Sequence, residues 1–300
     1  MSTDVTAGTS GSSGSSGSSG TGARQAPPVP GTPPPPPKAR RSRWLPAAFM
    51  VLGGLGISLF AAPLAALLLR VPWAEAAGQL LAPETRDALY VSLVCSLSAT
   101  VLCLLLGVPV AWILVRTQLP GRSFLRAITT LPVVLPPVVG GVALLLAFGR
   151  DGVFGQFLDE TFGIRLAFTT YGVILAETFV AMPFLVLTVC GALQSADRRV
   201  EDAARTLGAG PWTVFWRVTL PQIRPSLLSG SVLCWARALG EFGATITFAG
   251  NLPGSTQTLP LAVYVALERS PEAAIVLSLL LLAVSLSILV GLRRQWAGGL

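Results

Sequence analysis

At 300 residues, 52% hydrophobic and only 12% charged, with a mean hydropathy of +0.68, the chain is far too apolar for a soluble domain of its length and reads as an integral membrane protein. Its net charge of +7 does not point to nucleic acid, because many basic residues flank apolar runs, where they set orientation and meet anionic headgroups. There is no histidine for a triad, metal site or proton relay, and the single lysine, Lys38, lies outside any Gly-x-x-x-x-Gly-Lys-Ser/Thr pattern, so ATP hydrolysis belongs on another chain.

Residues 1–43 are dominated by Gly, Ser and Pro, with repeated Gly-Ser-Ser units and the run Pro33 to Pro37, and are expected to form a disordered spacer rather than a secretory signal. Six apolar runs follow, each long enough to cross a membrane as a helix: Leu45 to Leu69, Leu89 to Val115, Ala127 to Phe148, Tyr171 to Leu193, Leu227 to Ala249 and Ala273 to Leu292. Proline lies within or beside several of them, at Pro63, Pro109, Pro132, Pro136, Pro137 and Pro183, and predicts kinks. The expected divisions are the tail (1–43), a first transmembrane helix with its outer loop (44–86), the main transmembrane domain (87–290) and a C-terminal tail (291–300).

The basic clusters flanking these runs fall on one side of the membrane. Lys38, Arg40, Arg41 and Arg43 precede the first, Arg116, Arg122 and Arg126 follow the second, and Arg293 and Arg294 follow the sixth. The positive-inside rule then places both termini in the cytoplasm of a multi-pass membrane protein, together with the loop after run four. Between runs three and four, Gly149 to Thr170 mixes charges with Phe154, Phe157, Leu158 and Phe162, a pattern for a short interfacial helix on the outer face. Cys95, Cys103, Cys190 and Cys234 are scattered through apolar stretches without Cys-x-x-Cys spacing and read as small buried hydrophobes.

The loop after run four carries the most informative pattern in the chain. Glu201-Asp202-Ala203-Ala204-Arg205-Thr206-Leu207 favours a helix, Gly208 permits a turn, Pro211 suits the first turn of a second short helix, and Val218-Thr219-Leu220-Pro221 is expected to end it. A short helix exposed between membrane spans can seat in a partner's groove and transmit its movement. The spacing resembles the EAA motif of ABC importer permeases, with Asp202 standing for the usual Glu and Val218 for a common Ile. That resemblance implies an all-helical type I importer permease whose Glu201, Asp202, Ala203, Ala204, Gly208, Leu220 and Pro221 couple it to a cytoplasmic ATPase. ATP and Mg would be bound by that partner, and this chain would carry no cofactor of its own.

Farther on, polar groups interrupt the apolar runs. Arg237 and Glu241 stand one helical turn apart in run five and are expected to pair, either as a gate or pathway lining or as a structural tie. Glu177 has no obvious partner and is placed in the outer third of run four, within reach of interfacial water. Gly140, Gly141, Gly240 and Gly243 suit close helix approach. The outward segment after run five offers neutral donors at Asn251, Thr256, Gln257 and Thr258, groups that replace some of an anion's hydration without trapping it.

The stretches Ala238-Leu239-Gly240-Glu241-Phe242-Gly243-Ala244-Thr245 and Thr256-Gln257-Thr258-Leu259-Pro260-Leu261-Ala262-Val263-Tyr264 are similar to those of molybdate permeases, as are Leu131-Pro132, Pro136-Pro137 and Gly149-Arg150-Asp151-Gly152. This likeness implies molybdate, with tungstate as a second cargo, carried by a homodimer that receives the anion from an extracytoplasmic molybdate-binding protein. Sulfate and thiosulfate permeases share much of the pattern and stay open as an alternative. An ion-coupled secondary transporter built on Glu177 or the Arg237/Glu241 pair is the alternative from another class; the coupling loop weighs against it.

Overall fold

The structure, a computed structural model, describes residues 44–296, and every regular element among them is helical. The expected disorder of residues 1–43 lies outside the described residues. The described chain divides after Leu55 into two units. The described part of the first is the opening of α1 (Trp44–Leu69), an apolar helix whose large side chains, such as Phe49, Leu59 and Phe60, are exposed.

In the second unit α2 (Trp73–Leu81) is followed by α3 (Pro83–Arg116), with Pro83 in its first turn, where the missing N–H costs nothing. The helix α7 (Thr170–Ser195) is capped by Thr169, whose hydroxyl accepts from Gly172 N at 3.3 Å. Together with α1 and α13 (Pro271–Trp296), α3 and α7 are the four helices long and apolar enough to cross a membrane. They coincide with runs one, two, four and six, although α13 continues to Trp296 through most of the expected C-terminal tail.

Runs three and five are not the continuous spans expected. Run three is two helices, α4 (Arg122–Val134) and α5 (Pro137–Phe148), separated at Leu135 and Pro136, which are both extended at ψ 130° and 132°. Two consecutive prolines remove two N–H donors, and each pushes the residue before it out of the helical region, so the expected kink is a full break. The interfacial helix is present as α6 (Val153–Phe162), bent by 46° from α5, and this bent pair is a fifth candidate crossing.

Run five breaks at Gly240-Glu241-Phe242 into α10 (Leu220–Leu239) and α11 (Gly243–Phe248). The 20 residues of α10 span about 30 Å. It is long enough to cross but less apolar than the other four. A further helix, α12 (Leu259–Arg269), was not foreseen. Pro260 lies in its first turn, and its first N–H, on Leu259, donates to Ser92 Oγ of α3 at 2.6 Å.

The core of the unit is the packing of α3, α7 and α10 through Ala99, Cys103, Ala111, Leu185, Val189, Cys234 and Ala238. Small residues dominate because helices in a bilayer associate by close packing rather than by escaping water. All four cysteines are free and buried, as their apolar surroundings implied. Gly141 of α5 lies so near α11 that a Cβ there would overlap Thr247 Oγ1 and the Ala244 carbonyl oxygen. Gly240 differs: it is exposed and touches no neighbouring helix, and its place is the break itself.

Candidate functional site

The segment between α7 and α10 folds into a compact module. Asp197 caps α8 (Arg198–Thr206), accepting from Arg199 N at 2.9 Å, and places a negative group at the helix's positive end. At the other end Gly208 takes φ +85°, its N–H donates to Arg205 O at 2.9 Å, and Ala209 N–H donates to Ala204 O at 3.0 Å. These two bonds form a Schellman motif that satisfies the last carbonyls of α8 and turns the chain sharply. Pro211 then starts α9 (Pro211–Val214), as anticipated.

Pro221 does not end this second element. A π turn, Phe215–Thr219, joins α9 to α10 without interruption, its wider i+5 bond running from Leu220 N–H to Phe215 O. Leu220 and Pro221 open α10, and Pro221 sits in the first turn, where a proline needs no N–H partner.

Glu201 is the hub of the module. Only 1% exposed, its Oε1 accepts from Arg116 Nη2 at 2.7 Å and from Thr219 Oγ1 at 3.0 Å, while Oε2 lies 3.6 Å from Arg205 Nη2. One carboxylate thus ties together the end of α3, its own helix α8 and the π turn. Arg116 is also clamped from the side, its guanidinium 5.9 Å from the centroid of the Trp112 ring. Buried charges are tolerated when paired and hydrogen-bonded in this way, and the geometry fixes α8 to the membrane helices as one body.

The remaining coupling candidates separate by direction. Asp202, paired with Arg205 at 2.7 Å, and Ala203 are exposed, and Ala204 is half-buried. At the turn itself Leu207 is 89% and Trp212 74% exposed, an apolar tip on a polar module. Glu201 is therefore an internal anchor, and the exposed face of the module is made by Asp202, Ala203, Leu207, Gly208 and Trp212. The ties from Glu201 to Arg116 and Thr219 leave no local signal in the sequence, where Arg116 is one basic residue among several after run two.

The second group of candidates lies at the α10–α11 break. Arg237 Nη1 meets Glu241 Oε2 at 2.7 Å, the expected pair, while Glu241 Oε1 accepts from Ala244 N at 2.8 Å and so caps α11. Glu177 is 1% exposed, buried where α7 packs on α3, α10 and α11 rather than open to an interface. Among the described residues Glu177 Oε2, Asn251 Oδ1 and Thr258 Oγ1 are buried without hydrogen-bond partners. Thr256 is committed to the turn, its Oγ1 accepting from Leu252 N at 2.9 Å, and Gln257 is half-buried beside it.

Residues 103–296, which include both groups, match the family described as binding-protein-dependent transport system inner membrane component. The chain belongs to this family. Among relatives of this permease, the molybdenum transport system permease protein ModB of Mycobacterium tuberculosis is 48% identical over 240 residues, covering 80% of this chain and 90% of that protein. A chloroplastic sulfate permease of Chlamydomonas reinhardtii is 44% identical over 208 residues, covering 69% of this chain and 56% of that one. The fold is similar to a chain of a bacterial ABC transporter involved in import of the polysaccharide alginate, at 19% identity and a TM-score of 0.63, over 84% of this chain and 96% of that one. The permease is thus a multi-pass membrane component of a transport system with the type I importer fold.

Proposed function

We propose that this permease carries molybdate into the cell as one half of a homodimer, driven by a separate cytoplasmic ATPase that binds ATP and Mg and fed by an extracytoplasmic molybdate-binding protein. Tungstate, of the same charge and shape, is the second cargo. The observation that carries this is the module around Glu201. Exposed Leu207 and Trp212 flank the turn after α8, and the buried Glu201 carboxylate of α8 is locked to Arg116 of α3 and to Thr219 of the π turn. A partner that moves α8 therefore moves two membrane helices with it. The 48% identity to a molybdenum transport permease supports the cargo, and both termini and the module face the cytoplasm, on the side of the basic residues.

On the pathway we place the Arg237–Glu241 pair, with Asn251, Thr256, Gln257 and Thr258 at its outer end. Paired with Glu241, Arg237 attracts a divalent anion less strongly than a lone arginine, which allows release. A sulfate permease is the second reading, favoured by the 44% identity to the algal protein. The test is ATP-driven uptake in liposomes by the reconstituted permease, its ATPase and a binding protein, with molybdate, tungstate and sulfate compared. Uptake of molybdate that depends on both partners is expected. Transport that persists without an ATPase overturns the proposal in favour of an ion-coupled carrier.

A further inference from the structure

Beside the module lies an apolar groove of about 620 Å³ between the end of α3 and the run from α9 through the π turn into α10. Leu105, Val108 and Trp112 form one wall, and Trp212, Phe215 and Trp216 the other. The aromatic rings brace one another: Phe215 meets Trp112 edge-on at 5.2 Å and Trp216 at 5.4 Å, while Trp212 lies 5.8 Å from Trp216. Nothing in the Glu201 network requires this cavity.

The charged residues of its wall segments are all basic, with Arg116 already neutralised by Glu201 at 2.7 Å. Arg116 follows Trp112 by one helical turn and stacks on its ring, Arg217 lies within the π turn that supplies Phe215 and Trp216, and Arg224 shares a helix face with the lining residues Leu220 and Leu227. The wall segments 104–116 and 211–227 contain no acidic residue. Arg217 and Arg224 are exposed, and Arg116, with a side chain only 7% exposed, has Nε and Nη1 without hydrogen-bond partners among the described residues. Indole rings, an apolar slot and the exposed guanidinium groups of Arg217 and Arg224 at one end of membrane helices match a single chemistry, an acyl chain below and a phosphate above.

We infer that this groove is a binding site for one anionic phospholipid, its acyl chain between α3 and the π turn and its headgroup at Arg217 and Arg224. The lipid fills the space behind Phe215 and Trp216 and braces the coupling module against α3. Because the inference rests on the groove and not on the cargo, it stands apart from the molybdate reading.

The experiment is native mass spectrometry of the full-length permease equilibrated with equal amounts of dioleoylphosphatidylglycerol and dioleoylphosphatidylcholine in detergent. One retained phosphatidylglycerol per chain is expected, with roughly a tenfold preference over phosphatidylcholine. Arg217→Gln/Arg224→Gln should remove most of that preference, and Leu105→Trp, which fills the groove, should remove the retained lipid altogether. Equal retention of the two lipids, or an unchanged preference in the double variant, overturns the site. Phosphatidylglycerol carried by monomers but excluded from dimers also overturns it, since a second copy would then be covering the groove.

Discussion

Removing the Glu201 carboxylate strands Arg116 in a buried position with no counter-charge, a loss of about 3–5 kcal/mol for a broken buried pair. Glu201→Ala is therefore expected to lower the thermal unfolding midpoint of the purified permease and abolish uptake. The double variant Glu201→Leu/Arg116→Met, with neither charge left, should recover most of the stability but not the transport. Recovery of both would make the pair a packing element only. At Gly208 the strain is conformational, since a side chain there meets nothing within 4 Å but must adopt φ +85°. A β-branched residue pays about 1–2 kcal/mol for that backbone, whereas Asn visits it readily. Gly208→Val should impair ATPase-coupled uptake at normal expression and Gly208→Asn should not; equal activity of the two would show that the left-handed turn is dispensable. The glycine and its turn were legible in the sequence because local spacing reports them. The role of Glu201 was not, because its partner Arg116 lies 85 positions away and only the fold brings them together.

Among the elements, the long apolar helices α1, α3, α7 and α13 were legible from composition, and the broken ones were not. Pro136-Pro137 was visible as a kink, but a kink and a break differ only in whether neighbouring chain accepts the freed backbone groups. The break at Gly240 was hidden more deeply, because a glycine in an apolar run is usually a packing site. Its cause is Glu241, which caps α11 and thereby competes with continuation of α10. The discontinuity makes α11 depend on its contact with α5. Gly141→Val is expected to push Ala244 and Thr247 away and to destabilise the fold by about 1–3 kcal/mol. Thermal unfolding in detergent measures this, and an unshifted midpoint would mean that α5 and α11 separate freely.

For the whole molecule the question is where the ion is chosen. Tetrahedral oxyanions of equal charge differ chiefly in size and hydration, and the proposed pathway, with neutral donors and one compensated arginine, is expected to separate them poorly. Discrimination is expected to lie in the binding protein, with the permease recognising its closed form through the outer segment from Asn251 to Thr258. Exchanging a molybdate-type for a sulfate-type binding protein on the same permease should therefore change the ion transported. A preference that stays fixed while both complexes turn over would place selectivity in the membrane, with Arg237 the first residue to substitute.

The π turn gives the spacing of the coupling motif a meaning beyond sequence likeness. From Pro211 to Leu239 the chain is one uninterrupted helical path, so the number of residues between Gly208 and Leu220 acts as a phase angle between the exposed tip and the membrane helix. Each residue is worth about 100° of rotation. Deleting Thr213, ahead of the wide turn, would rotate Pro211 and Trp212 by that amount about the axis and carry the Trp212 ring away from Phe215 and Trp216. The helix would survive intact, only out of step, in the way that a key cut one notch short still enters the lock and fails to turn it.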